Sequence, residues 1–150
     1  MITLNTVSDL FKLLKDFISM FRHKNSDNVN TKIYQILSPI YATLIDKNDL
    51  LQFNHGVHAS HEAYADTWDC FDYYSQLLRE NNALLNNRQI KAFLRTMSLI
   101  LYLQKTLNDL RYGGDLKGPE YQDLLKKAST LRKKINHNLN KCRKIMRTLS

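Results

Sequence analysis

Apolar residues return at steps of three and four through most of this chain, most densely between Asn87 and Tyr112. There Ile90, Phe93, Leu94, Met97, Ile100, Leu101, Leu107 and Leu110 keep helical spacing, and Leu99 and Leu103 widen the stripe. A helix apolar over so much of its circumference has to be covered on several sides. The pattern therefore predicts a central helix over about residues 88–111, with the remaining segments packed around it.

Those segments carry narrower stripes. Leu10, Leu13, Leu14, Phe17, Ile18 and Phe21 define a first helix over about residues 8–22, opened by Thr6 or Ser8 with Asp9 near the positive end of its dipole. The polar run from His23 to Asn30 reads as a loop. A second helix follows over about residues 31–45, with Ile33, Ile36, Leu37, Ile40, Tyr41 and Leu44 inward and Pro39 predicted to kink it. A short helical turn is expected over residues 48–53, then a connection around Gly56. Tyr64, Trp68, Phe71, Tyr74 and Leu78 form the stripe of a third helix, about residues 60–79, and predict an aromatic part of the core. Asn86-Asn87 suits a break and cap before the central helix. Gly113-Gly114 and Gly118-Pro119 mark a loop, and Pro119 fits the first position of a last helix reaching Leu149. In that helix Tyr121, Leu124, Ala128, Leu131, Ile135, Asn138, Cys142, Ile145 and Leu149 alternate steps of three and four, a heptad seam with one polar member. The expected architecture is all-α: one domain spanning residues 1–150, an antiparallel bundle of about five helices around the central one.

Composition supports that picture. Only four glycines and two prolines interrupt 150 residues, which favours long helices. No uncharged apolar run reaches the ~18 residues needed to span a bilayer. The stretch from Leu10 to Phe21 contains Lys12, Lys15 and Asp16 and lacks the form of a signal peptide, so the expected location is cytoplasmic. Cys70 and Cys142 stand apart with no Cys-x-x-Cys spacing, and both are expected to be reduced, partly buried thiols.

The formal charge is +8, and its placement is more informative than its size. From Pro119 onward nine Lys/Arg stand against two acids, leaving +7 there and +1 in all that precedes. Lys127, Lys134 and Lys141 recur every seven residues beside the seam, as do Lys126 and Lys133, and Lys144 and Arg147 extend the stripe. From Lys126 to Arg147 it would run ~30 Å at 1.5 Å per residue. Such a stripe suits an anionic partner, a nucleic-acid backbone or an acidic protein surface. No aromatic residue falls between its lysines, so contact would be backbone-directed rather than by base stacking. The expected function is a small non-enzymatic binding or regulatory protein without a cofactor, and the seam is also compatible with a homodimer.

Two other constellations bear on chemistry. His55, His58 and His61 are spaced by three, with Glu62, Asp66 and Asp69 downstream. Imidazole and carboxylate together could hold zinc or iron, although no second ligand pair is visible elsewhere. Arg132 and His137 are separated by four residues. This resembles the Arg-x4-His motif of HEPN-domain ribonucleases, which are also small helical bundles. Lys133 stands where that family typically carries Asn, Asp or His. The resemblance implies an alternative function, RNA cleavage with His137 as the acid/base and Arg132 steadying the phosphate. Five residues on a helix amount to about 140° of rotation, so the pair does not share one face of an ideal helix, and the resemblance implies a meeting across a dimer cleft.

Overall fold

The computed structural model describes the backbone of residues 4–53, 60–113 and 118–150, and in the first helix the side chains of Lys12 and of Asn28 to Gln52. These residues form four helices and no strand: α1 (Leu4–Phe53), α2 (His61–Glu80), α3 (Asn87–Tyr112) and α4 (Pro119–Leu149).

The count is four rather than about five because the three N-terminal pieces are one helix. The run His23–Asn30, expected as a loop, is helical, and so is the join before residues 48–53. Its Asn, Ser and Asp residues are weak helix formers, each only about half a kcal/mol worse than alanine. Stopping and restarting would require a second costly nucleus, and neither glycine nor proline lies in the run to force it. Pro39 is accommodated within α1. The Thr43 hydroxyl donates to the Pro39 carbonyl at 2.9 Å. The apolar face expected for residues 8–22 lies outside the described side chains.

Local chemistry fixes the other ends. Ser60 caps α2, its hydroxyl accepting from the Ala63 amide at 3.1 Å. Asn86 opens α3 with a full capping box. Its side chain accepts from the Gln89 amide at 2.8 Å, and Gln89 accepts in return from the Asn86 amide at 2.9 Å. Gly118 precedes α4 with φ of +60°, a left-handed conformation open to glycine, and Pro119 follows as the first helical residue.

Side-chain pairings set the directions. Thr96 lies against Cys142 and Tyr102 against Lys127, so α3 and α4 run antiparallel. Tyr41 meets Arg143 and Asn48 meets Asn136, so α1 is antiparallel to α4. His61 stacks on Tyr112, which sets α2 antiparallel to α3. The predicted central helix is central: α3 packs on α4 most extensively, then on α2 and α1. Phe93, Ile100 and Leu103 on α3 are fully enclosed, together with Leu37, Ile40 and Leu44 of α1 and Ile135 and Cys142 of α4.

The predicted aromatic core of α2 is only partly realised. Phe71 and Leu78 are buried, Tyr64 and Tyr74 are half-buried, and Trp68 is 50% exposed. Among its described neighbours α2 packs chiefly on α3, so only a narrow face of it is covered; Thr67, one position from Trp68, takes the buried place and donates to the Ala63 carbonyl at 2.9 Å.

Candidate anion-binding groove

The heptad seam of α4 is consumed within the chain. Ala128, Leu131, Ile135, Asn138, Cys142 and Ile145 are all buried, while Tyr121 at the start of the seam is exposed. The polar member Asn138 donates to the Lys134 carbonyl of its own helix at 2.8 Å. Most of the seam is thus packed against α1 and α3.

The seam has two flanks. One meets α1 through polar contacts: the Asn136 carboxamide oxygen accepts from Asn48 at 3.3 Å and from Gln52 at 3.2 Å. Arg143 donates to the Tyr41 hydroxyl at 3.4 Å. The other flank meets α3. At its core the Ala92 carbonyl accepts from the Thr96 hydroxyl at 2.8 Å and from the Cys142 thiol at 3.6 Å. Burial pushes the Cys142 thiol up from its ordinary range, and the Thr96 contact only partly offsets this. Cys70 is half-buried and also pushed up by burial, against an opposing pull from Lys47. Neither is in a disulfide.

All seven predicted stripe residues, Lys126, Lys127, Lys133, Lys134, Lys141, Lys144 and Arg147, are exposed. They do not act as one row. Lys141 and Lys144 enter a cavity of about 500 Å³ between α3 and α4, where they face Arg88, Lys91 and Arg95 over a floor of Ala92, Asn138 and Ile145. Lys127 lies over the Tyr102 ring at 4.3 Å from its centroid, nearer the other end of α3. The nearby Lys127 ammonium, with help from Lys105, holds the Tyr102 phenol below its usual range. Lys126, Lys133 and Arg147 do not line the groove.

The three α3 cations are the functional candidates that the charge count over α4 missed. A signal was present, since residues 88, 91 and 95 recur at three and four on the face away from Phe93 and Ile100. Their meaning depended on which helix lay alongside. No acidic residue lines the groove, and among the described residues none of its five cations is paired with an acid. Arg88 also stands in the first turn of α3, the positive end of the helix dipole, and that turn holds no acid.

The other candidates are described only in part or lie apart on one helix. His61 is exposed and stacks on Tyr112 with ring centroids 4.3 Å apart and 14° between planes. His55 and His58 lie outside the described residues. Among the described residues no three His, Cys, Asp or Glu side chains gather where an ion could be held. Arg132 is half-buried and turned toward α1, donating to the Leu51 carbonyl at 3.5 Å, with its Nε buried and unpartnered. His137 is exposed on another side of α4. Within one chain the two open onto different surfaces.

By its fold this is an α-helical bundle, and by its surface a bundle with a basic groove between two helices; none of the helices described is long and apolar enough to cross a membrane. A scan against protein-family models and searches of curated proteins and of solved structures find no match to this chain.

Proposed function

We propose that this protein is a small non-enzymatic binding or regulatory protein whose basic C-terminal helix engages an acidic partner, either the backbone of a nucleic acid or an acidic protein surface. One observation carries the reading. Of the nine cations of α4, the seven of the stripe are all exposed, and among the described residues none of the seven is neutralised by an acid of the same chain. Gathering like charges on the exposed side of one helix raises the energy of the free protein, and an anion laid against them lowers it. Counterion release from a polyanion adds a driving force that weakens as salt rises.

The test is a titration with duplex DNA, RNA and polyglutamate at increasing salt, for the wild type and for a variant with Lys127, Lys134 and Lys141 changed to Glu. Binding that weakens with salt and is lost in the variant supports the reading. Binding that ignores both salt and the three charge reversals removes α4 as the contact. Cleavage of the RNA, abolished by His137→Ala, would instead favour the ribonuclease alternative.

A further inference from the structure

We infer that the contact is centred on the α3–α4 groove, with Arg88, Lys91 and Arg95 as essential as Lys141 and Lys144, and that it takes the phosphodiester backbone of a nucleic acid. This rests on the proposed role of the C-terminal helix and deepens it.

The first argument is convergence. Two helices that meet through an apolar seam turn five cations toward one cavity of about 500 Å³, with no acid in its lining. Two of the five are arginines, whose planar forks match phosphate oxygens two at a time. Arg88 adds its charge to the positive end of α3, an arrangement that costs stability until an anion sits there.

The second argument is the balance of donors and acceptors. Among the groove's lining side chains every polar group except Asn138 is a pure donor. A polypeptide laid in it would bring amide N–H groups that need acceptors, and Asn138 alone could supply one. A phosphodiester backbone brings acceptors only. The lining therefore favours nucleic acid over an acidic peptide.

The third argument is length. The cationic surface continues beyond the cavity along both helices. On α3, Arg88, Lys91, Arg95 and Lys105 are exposed, and on α4, Lys127, Lys134, Lys141 and Lys144. At 1.5 Å per residue each row runs about 25 Å. That length covers about seven phosphates of one duplex strand at 3.4 Å each, far more than one small anion would use.

The experiment compares two triple variants of equal charge loss, R88Q/K91Q/R95Q within the groove and K126Q/K133Q/R147Q outside it. Fluorescence anisotropy measures affinity for duplex DNA and for single-stranded RNA between 50 and 300 mM salt. Polyglutamate, and vesicles of phosphatidylserine and phosphatidylcholine, serve as rival probes. All six positions are exposed, so thermal unfolding by circular dichroism should show both variants folded. Five phosphate contacts predict a slope of log affinity against log salt of about −4.5 for duplex and about −3.5 for single strands. The groove triple should lose at least about tenfold in affinity at 50 mM salt and flatten the duplex slope by about 2.7. The outer triple should lose less than about threefold. The relative strength on duplex and single strand identifies which form is preferred.

A groove triple that binds as tightly as wild type, beside an outer triple that does not, overturns the inference and leaves the C-terminal helix as the contact. Equal losses in both triples also overturn it, since total charge would then account for binding. A wild type that ignores nucleic acid and binds polyglutamate overturns the inference while keeping the acidic-partner reading. One that binds only the vesicles, or none of the probes, defeats both.

Discussion

Replacing Ile100 by alanine deletes three carbon atoms from the middle of α3, at a side chain with no exposure to solvent. At about 0.8 kcal/mol per methylene-sized group, transfer alone costs about 2.4 kcal/mol. The site cannot close easily, because α3 packs against all three other helices, and α1 and α4 are also packed on each other. The residual cavity therefore raises the cost to about 3.5 kcal/mol, inside the usual span for buried Ile→Ala. For a chain of this length that lowers the thermal midpoint by about 10 °C. Urea unfolding followed by circular dichroism would read the same loss as a lower midpoint with unchanged slope. Leu125→Ala is the control, an apolar residue of α4 that is 39% exposed, and it should cost less than about 1 kcal/mol. If Ile100→Ala costs no more than Leu125→Ala, α3 is not the enclosed axis of the bundle, and the placement of the groove beside it fails as well.

Asn86→Ala should destabilise the protein by about 1 kcal/mol through loss of the cap, and Asn86→Gly by only a few tenths, because glycine adopts the non-helical cap conformation more readily and leaves the freed amides open to water; paired thermal melts would show the difference. Trp68 is the one tryptophan and is half exposed, so acrylamide should quench its fluorescence readily in the folded state, whereas a core indole would be protected. Burial raises both thiols, Cys142 at a fully enclosed position, so native protein should react slowly with iodoacetamide at pH 7.5, Cys142 more slowly than Cys70, and rapidly in urea. Because the folded thiol is raised, its contribution to stability is intact below the ordinary thiol range and is lost as pH rises through it. The midpoint of unfolding should therefore begin to fall above about pH 9, and less so in Cys142→Ala.

Some of this was legible one residue at a time. The spacing of Phe93, Met97, Ile100 and Leu103 marks α3 because helix geometry brings every third and fourth residue to one side, whatever lies against that side. Pro119 and Asn86 announced helix starts because capping is a contact within a few residues. The same local signals misled at His23–Asn30. Residues that can cap a helix are also tolerated inside one, and whether a helix stops depends on the cost of starting another. Trp68 misled for a different reason. Its step in the stripe was right, but how wide a face of α2 is covered depends on how many neighbours α2 has.

The groove belongs to the second kind. Residue order alone was enough for four features: an all-helical chain, an apolar axis over α3, a heptad seam in α4 and a surplus of positive charge in α4. It also held Arg88, Lys91 and Arg95 in plain order, without a reason to join them to Lys141 and Lys144 some fifty residues later. Only the antiparallel docking of α3 on α4 made that connection. Periodicity states which side of a helix seeks cover, but the angle and partner of that cover come from packing among all the helices at once. A charge cluster built from two helices exists only after that packing is settled.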